Sequence, residues 1–136
     1  MKQIALSVEN LTFSYGQKKA LNNVSFQISA GECTLLLGEN GAGKSTLFSL
    51  ITHLYDTHAG KIELCGFDIQ RQSQQALARL GVVFQQTTLD MDLSVLQNLN
   101  YHCALHGISR KVANQRIQEE LERLQMYERR TEKVRQ

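Results

Sequence analysis

Apolar and polar residues alternate along the first part of the chain. Ile4-Ala5-Leu6-Ser7-Val8-Glu9 carries the two-residue period of a half-buried strand. Asn10 interrupts it, and Leu11-Thr12-Phe13-Ser14-Tyr15 resumes with Leu11, Phe13 and Tyr15 on one face. Residues 16–19 read as a turn, Val24-Ser25-Phe26-Gln27-Ile28 alternates again, and residues 29–32 turn once more. This pattern predicts a small antiparallel sheet with one wet face. The period then changes. Cys33-Thr34-Leu35-Leu36-Leu37 is a short apolar run and predicts a buried strand, while residues 46–51 carry apolar side chains at helical spacing. Lys61-Ile62-Glu63-Leu64-Cys65 reads as a strand, Gly66 as a turn, Phe67-Asp68-Ile69 as a short extended piece and residues 73–79 as a short helix. Leu80-Gly81-Val82-Val83-Phe84, rich in β-branched and aromatic residues, predicts a second buried strand, followed by a loop over residues 85–93.

Two helices close the pattern. Ser94 and Gln97 have capping-box spacing, and their helix is predicted to run to about His106, with Gly107 just past its end. Ser109 caps the next helix, on which Val112, Ala113, Ile117, Leu121 and Leu124 form an apolar stripe, read as a packing face. From Glu128 onward the chain is charged with both signs and reads as a solvated helix end.

The most specific chemistry lies between the predicted strand at 33–37 and the helix after it. Gly38, Glu39, Asn40, Gly41, Ala42, Gly43, Lys44, Ser45 and Thr46 fit G-x-x-x-x-G-K-[ST], the phosphate-binding P-loop or Walker A pattern, in its strand–loop–helix setting. The glycines permit tight turns and positive φ, so that backbone N–H groups converge on an anion. The helix N-terminus adds free donors and the positive end of its dipole. Lys44 has the reach for β- and γ-phosphates, and Ser45 offers the hydroxyl oxygen that Mg²⁺ prefers.

Bulk properties narrow the field. The chain has 136 residues, enough for one domain, with 42% apolar and 21% charged residues and a net charge of +2. That charge is too small to point to nucleic acid. No stretch approaches the ~20 apolar residues that span a bilayer, and the N-terminus lacks a signal-peptide pattern, so a cytoplasmic location is expected. Cys33, Cys65 and Cys103 have no zinc or redox-pair spacing and are read as packing residues. His102 and His106 are four apart on a helix, but with no third ligand to name they are read as a solvent-facing or packing pair.

Several stretches together resemble an ABC transporter ATPase. They are residues 11–16, residues 20–26, the P-loop, residues 59–62, and Gly81-Val82-Val83-Phe84-Gln85-Gln86, in matching order and spacing from about residue 3 to 136. The resemblance implies an α/β fold: a P-loop NTPase, incomplete here, with a RecA-like core, an antiparallel β-subdomain and the start of a helical subdomain. About 1–86 would be the β-subdomain and P-loop core, and about 87–136 the coupling loop and helical subdomain. Tyr15 would stack on adenine, residues 38–46 would hold the phosphates of ATP, and Ser45 and Gln85 would contact Mg²⁺, with Gln85 also a candidate contact for the attacking water. Glu39 stands where the family often has proline. Residues 87–93 would meet a membrane-spanning subunit, two ATPase subunits would pair, and the protein would sit on the cytoplasmic face of the membrane, energising export. The family's signature segment, Walker B aspartate with its glutamate, and switch histidine are not found among these residues, so no complete catalytic set is expected. The chain is expected to be a truncated product or a fragment. The alternative reading is a non-catalytic nucleotide-binding remnant. In either case the strand at 33–37 is expected to be short of neighbours.

Overall fold

The computed structural model describes residues 3–39, 41 and 43–136, which fall into two compact units, residues 1–82 and 83–136. In the first unit, β1 (Ile4–Tyr15) and β2 (Lys18–Ser29) form a long antiparallel hairpin. β3 (Lys61–Leu64) and β4 (Phe67–Asp68) extend it into an antiparallel sheet of order β2-β1-β3-β4. The expected interruption at Asn10 is a bulge within one continuous strand. Asn10 is left-handed, at φ 49°, and the register shifts between Val8 and Leu11. One residue is thereby absorbed, and Val8 and Leu11 share the buried face although three positions apart. The Ser25 hydroxyl accepts a hydrogen bond from the Asn10 N–H at 2.8 Å and holds the bulge.

The other turns follow from local chemistry. Cys65 (φ 50°) and Gly66 (φ 85°) make a two-residue turn with both residues left-handed, which matches strand twist, so β3 ends at Leu64. Helix α1 (Lys44–Ile51) lays Leu47, Leu50 and Ile51 against Val8, Leu11, Leu21, Ile62 and Leu64, and the short α2 (Ser73–Leu77) adds Ala76. Each large aliphatic side chain in this core contributes roughly 1.5–3 kcal/mol by leaving water. The loop before β3 is fastened across β1: Ala59 O accepts from Thr12 N–H, and the Thr57 hydroxyl donates to Thr12 O, each at 2.9 Å.

The second unit is built on α3 (Val95–Leu105) and α4 (Arg110–Arg123). The capping box is present: the Ser94 hydroxyl accepts from Gln97 N–H, and the Gln97 side chain accepts from Ser94 N–H. Gly107 is left-handed beyond the helix end, and the Ser109 hydroxyl caps α4 by accepting from Val112 N–H. Of the stripe on α4, Ala113, Ile117 and Leu121 are buried against Val95, Leu99, Cys103 and Met126, whereas Val112 and Leu124 lie at the margins and are exposed.

Four expectations need correction. Residues 33–37 and 80–84 form no strand, and Leu35, Leu37 and Val83 are 80%, 84% and 99% exposed. Hydrophobicity marks these runs for burial, but burial of an extended segment needs a ladder partner. The sheet β2-β1-β3-β4 provides neither run with one among the described residues. Cys33 is accordingly exposed rather than packed. The charged end is not a solvated helix end either. After a 3₁₀ turn (Tyr127–Arg129) it doubles back along the start of α3, with Glu132 O accepting from Val95 N–H, Leu93 O from Val134 N–H and Met91 O from Arg135 N–H.

Gly60 lies flat on the bulge. A Cβ there would stand 2.6 Å from Asn10 O and Leu11 Cα, at φ 112°. Gly60→Ala is expected to destabilise the fold by about 2–4 kcal/mol in chemical denaturation. Gly66→Ala, at a left-handed position with open space around it, is expected to cost only about 1 kcal/mol.

Candidate nucleotide-binding site

The P-loop enters α1 through two left-handed glycines, Gly41 at φ 88° and Gly43 at φ 96°. Asn40 and Ala42 lie outside the described residues. Gly43 also touches the sheet, since a Cβ would stand 2.7 Å from Ala20 O and 3.0 Å from Leu21 Cδ2. The first intrahelical bond of α1 runs from Leu47 N–H to Gly43 O. Among the described residues the N–H groups of Lys44, Ser45 and Thr46 have no acceptor, no side chain caps the helix at Gly43, and no acidic residue occupies the first turn. Those amides form a ready seat for an anion. The Lys44 ammonium donates to the Gly38 carbonyl, closing the loop on itself. The Ser45 hydroxyl is exposed. Gly38 and Glu39 are exposed and lie in neither helix nor strand.

Tyr15, at the end of β1, is brought to the same place. Its hydroxyl is hydrogen-bonded to the buried Thr46 hydroxyl at 2.9 Å. Its ring stands edge-on to Phe13 and Tyr55, at 5.1 and 6.0 Å between centroids, and Phe13 and Tyr55 stack at 5.7 Å. Nearly half of Tyr15 remains exposed, 47%, so a ring held from behind still offers surface to a ligand. Tyr15, Gly41, Gly43, Lys44, Ser45 and Thr46 share one open cleft of about 230 Å³. Lys18 and Lys19 line it too. Sequence reading assigned them to a turn, and the available signal was two adjacent cations three and four residues beyond Tyr15.

Gln85 lies in the second unit, at an exposed bend. The loop that follows it is not slack. Asn98 on α3 accepts from Asp90 N–H at 2.9 Å and donates to Asp90 O and Ser94 O, each at 3.0 Å. Asp90 in turn accepts from Asp92 N–H, and Arg135 pairs with Asp92. His102 and His106 are exposed with ring centroids 4.4 Å apart. Among the described residues no group of three or more His, Cys, Asp or Glu could hold a metal ion.

A sequence profile described as ABC transporter matches residues 21–136. The chain belongs to the ABC transporter family. Among the relatives of this ABC protein is the Nod factor export ATP-binding protein I of Paraburkholderia xenovorans, 39% identical over 80% of this chain and 36% of its own length. The daunorubicin resistance ATP-binding protein DrrA3 of Streptomyces coeruleorubidus is 35% identical over all of this chain and 43% of its own. The linearmycin resistance ATP-binding protein LnrL of Bacillus subtilis is 34% identical over 95% and 42%. The ABC chain thus spans less than half the length of these relatives. A solved ATP-binding subunit of an ABC transporter shares the fold at TM-score 0.82 and 24% identity, over 95% of this chain and 54% of that one. CbiO1 of Clostridium perfringens, part of the ABC transporter complex cbiONQ, matches at TM-score 0.78 and 25% identity, over 97% and 55%. These neighbours identify the fold as part of a P-loop NTPase. Among the described residues no helix is long and apolar enough to cross a membrane.

Two outcomes test the geometry. Tyr15→Phe keeps the ring but strands the buried Thr46 hydroxyl, and is expected to lower stability by about 1–2 kcal/mol in urea titration. Asn98→Ala releases the Asp90 backbone, so hydrogen exchange at Asp90 and Asp92 is expected to quicken at least about tenfold while the middle of α4 is unchanged.

Proposed function

We propose that the chain binds Mg-ATP as part of the ATP-binding subunit of an ABC exporter. The observation that carries the reading is the seat at the start of α1: the amides of Lys44, Ser45 and Thr46 without an acceptor among the described residues, a left-handed Gly43 and Lys44 beside them, with the half-exposed Tyr15 ring fastened to Thr46. The donors suit a polyphosphate and the ring suits a base. In this reading Tyr15 stacks on adenine, residues 38–46 enclose the phosphates and Lys44 leaves the Gly38 carbonyl for the β- and γ-phosphates. Ser45 would hold Mg²⁺, which neutralises phosphate charge. The names of the relatives, two of drug or antibiotic resistance and one of Nod factor export, support an export role. Residues 87–93, braced by Asn98 and Arg135, are proposed as the surface for a membrane-spanning subunit, with the chain peripheral on the cytoplasmic face and two ATPase subunits pairing. The division of labour proposed is about 1–86 for the β-subdomain and P-loop core, and about 87–136 for the coupling loop and helical subdomain.

A second reading, a nucleotide-binding remnant without turnover of its own, is favoured by one observation. Two apolar runs, 33–37 and 80–84, have no ladder partners among the described residues, so the core that should brace the P-loop is only partly built by these residues.

Calorimetric titration separates the readings from failure. ATP binding is expected, weakened about 100-fold by Lys44→Ala through loss of a charged phosphate contact. Tyr15→Ala is expected to cost about 1–3 kcal/mol of binding. Binding indifferent to Lys44→Ala would sink the site. Phosphate release by the 136-residue chain is expected to stay at background; steady turnover abolished by Lys44→Ala would exclude the remnant reading.

A further inference from the structure

The cleft at the P-loop has a second basic wall that the motif does not include. Lys18 and Lys19 open β2, directly across the hairpin from β1, with Lys18 paired in register to Tyr15 and Lys19 to Ser14. Both therefore stand on a strand ladder rather than on a loose loop tip, with Lys18 directly across from Tyr15. Both are exposed, both line the cleft together with Lys44 and Ser45, and neither makes an ion pair among the described residues. No carboxylate lines the cleft among the described residues. The cleft is thus lined by three lysines and the positive end of α1, while the chain as a whole carries a net charge of only +2. Like charges brought together this way repel one another in the empty site. A ligand with several negative charges relieves the repulsion and gains attraction to each cation, so its advantage grows with every phosphate it carries.

From this we infer that Lys18 and Lys19 are specificity-determining residues that grade nucleotides by phosphate charge, favouring triphosphate over diphosphate over monophosphate. The inference rests on the nucleotide-binding reading above. Lys44 and the α1 amides act at one fixed end of the polyphosphate; the two hairpin lysines add a long-range, salt-sensitive preference from β2. Both are exposed and make no ion pair among the described residues, so replacing them is expected to cost the fold little.

The test measures affinities for ATP, ADP and AMP by displacement of a fluorescent ATP analogue, at low and high salt. Four proteins are compared: the natural chain, Lys44→Ala, the pair Lys18→Ala/Lys19→Ala and the pair Lys18→Arg/Lys19→Arg. The alanine pair is expected to weaken ATP about tenfold at low salt and AMP less than about twofold. The difference should shrink at about 0.5 M salt, and the arginine pair should retain the natural ranking. Equal loss for ATP and AMP would make the lysines structural, and no loss would make them bystanders; either result overturns the inference. If the natural chain binds no ATP, the site reading itself fails and this inference with it. If it binds ATP in a Lys44-dependent way but ignores the alanine pair, the inference alone fails.

Discussion

The first unit depends on one close approach, between the start of α1 and the second strand. At Gly43 the helix comes so near the sheet that a single methyl group would meet the Ala20 carbonyl at 2.7 Å, and the backbone there is left-handed as well. Space and torsion both demand glycine. Much else follows from that contact. Leu21 reaches the same core as Leu47, Leu50 and Ile51, so the helix is seated by packing as well as by its loop. Thr46, one turn in, meets the Tyr15 hydroxyl from the neighbouring strand. The free amides at the head of α1 are then aimed by a sheet that the phosphate-binding motif does not contain.

The aromatic group behind Tyr15 shows the same economy. Phe13 and Tyr15 lie two apart on β1 and share a face, while Tyr55 arrives from the loop beyond α1 and stacks on Phe13. A ring that must present one surface to a ligand is fixed by edge contacts and by its hydroxyl, leaving its exposed part free. The loop of the second unit is fixed differently. There a side-chain amide, Asn98, substitutes for a strand partner at Asp90, and the returning chain end supplies backbone bonds at Met91 and Leu93.

Sequence alone carried the features that are written locally. The alternation in β1, β2 and β3, the capping box at Ser94 and the left-handed Gly107 each depend on neighbours within a few residues, and each is present. Within the site, the P-loop pattern is local in the same sense, whereas Tyr15 was singled out by the family resemblance, and its hydroxyl meets Thr46 thirty-one residues on. What escaped depends on distant partners. Residues 33–37 and 80–84 read as buried strands because periodicity reports how apolar a run is and says nothing of what lies beside it. The bulge that unites the two halves of β1 needed Ser25, fifteen residues on. The fold-back at 130–136 has no apolar period at all, since its bonds are made by the backbone. Lys18 and Lys19 looked like turn residues until the hairpin register set them beside the cleft.

The bond from Lys44 to the Gly38 carbonyl has a consequence for how affinity at this loop is to be understood. The ammonium is already spoken for before any ligand arrives, by an acceptor belonging to the loop's own backbone. Capture of a phosphate is then an exchange of partners rather than the filling of a vacancy. The carbonyl must turn to solvent or find another donor as the lysine departs. The net gain is the difference between two charge-assisted bonds, smaller than either alone. The ligand then departs without leaving a bare cation behind.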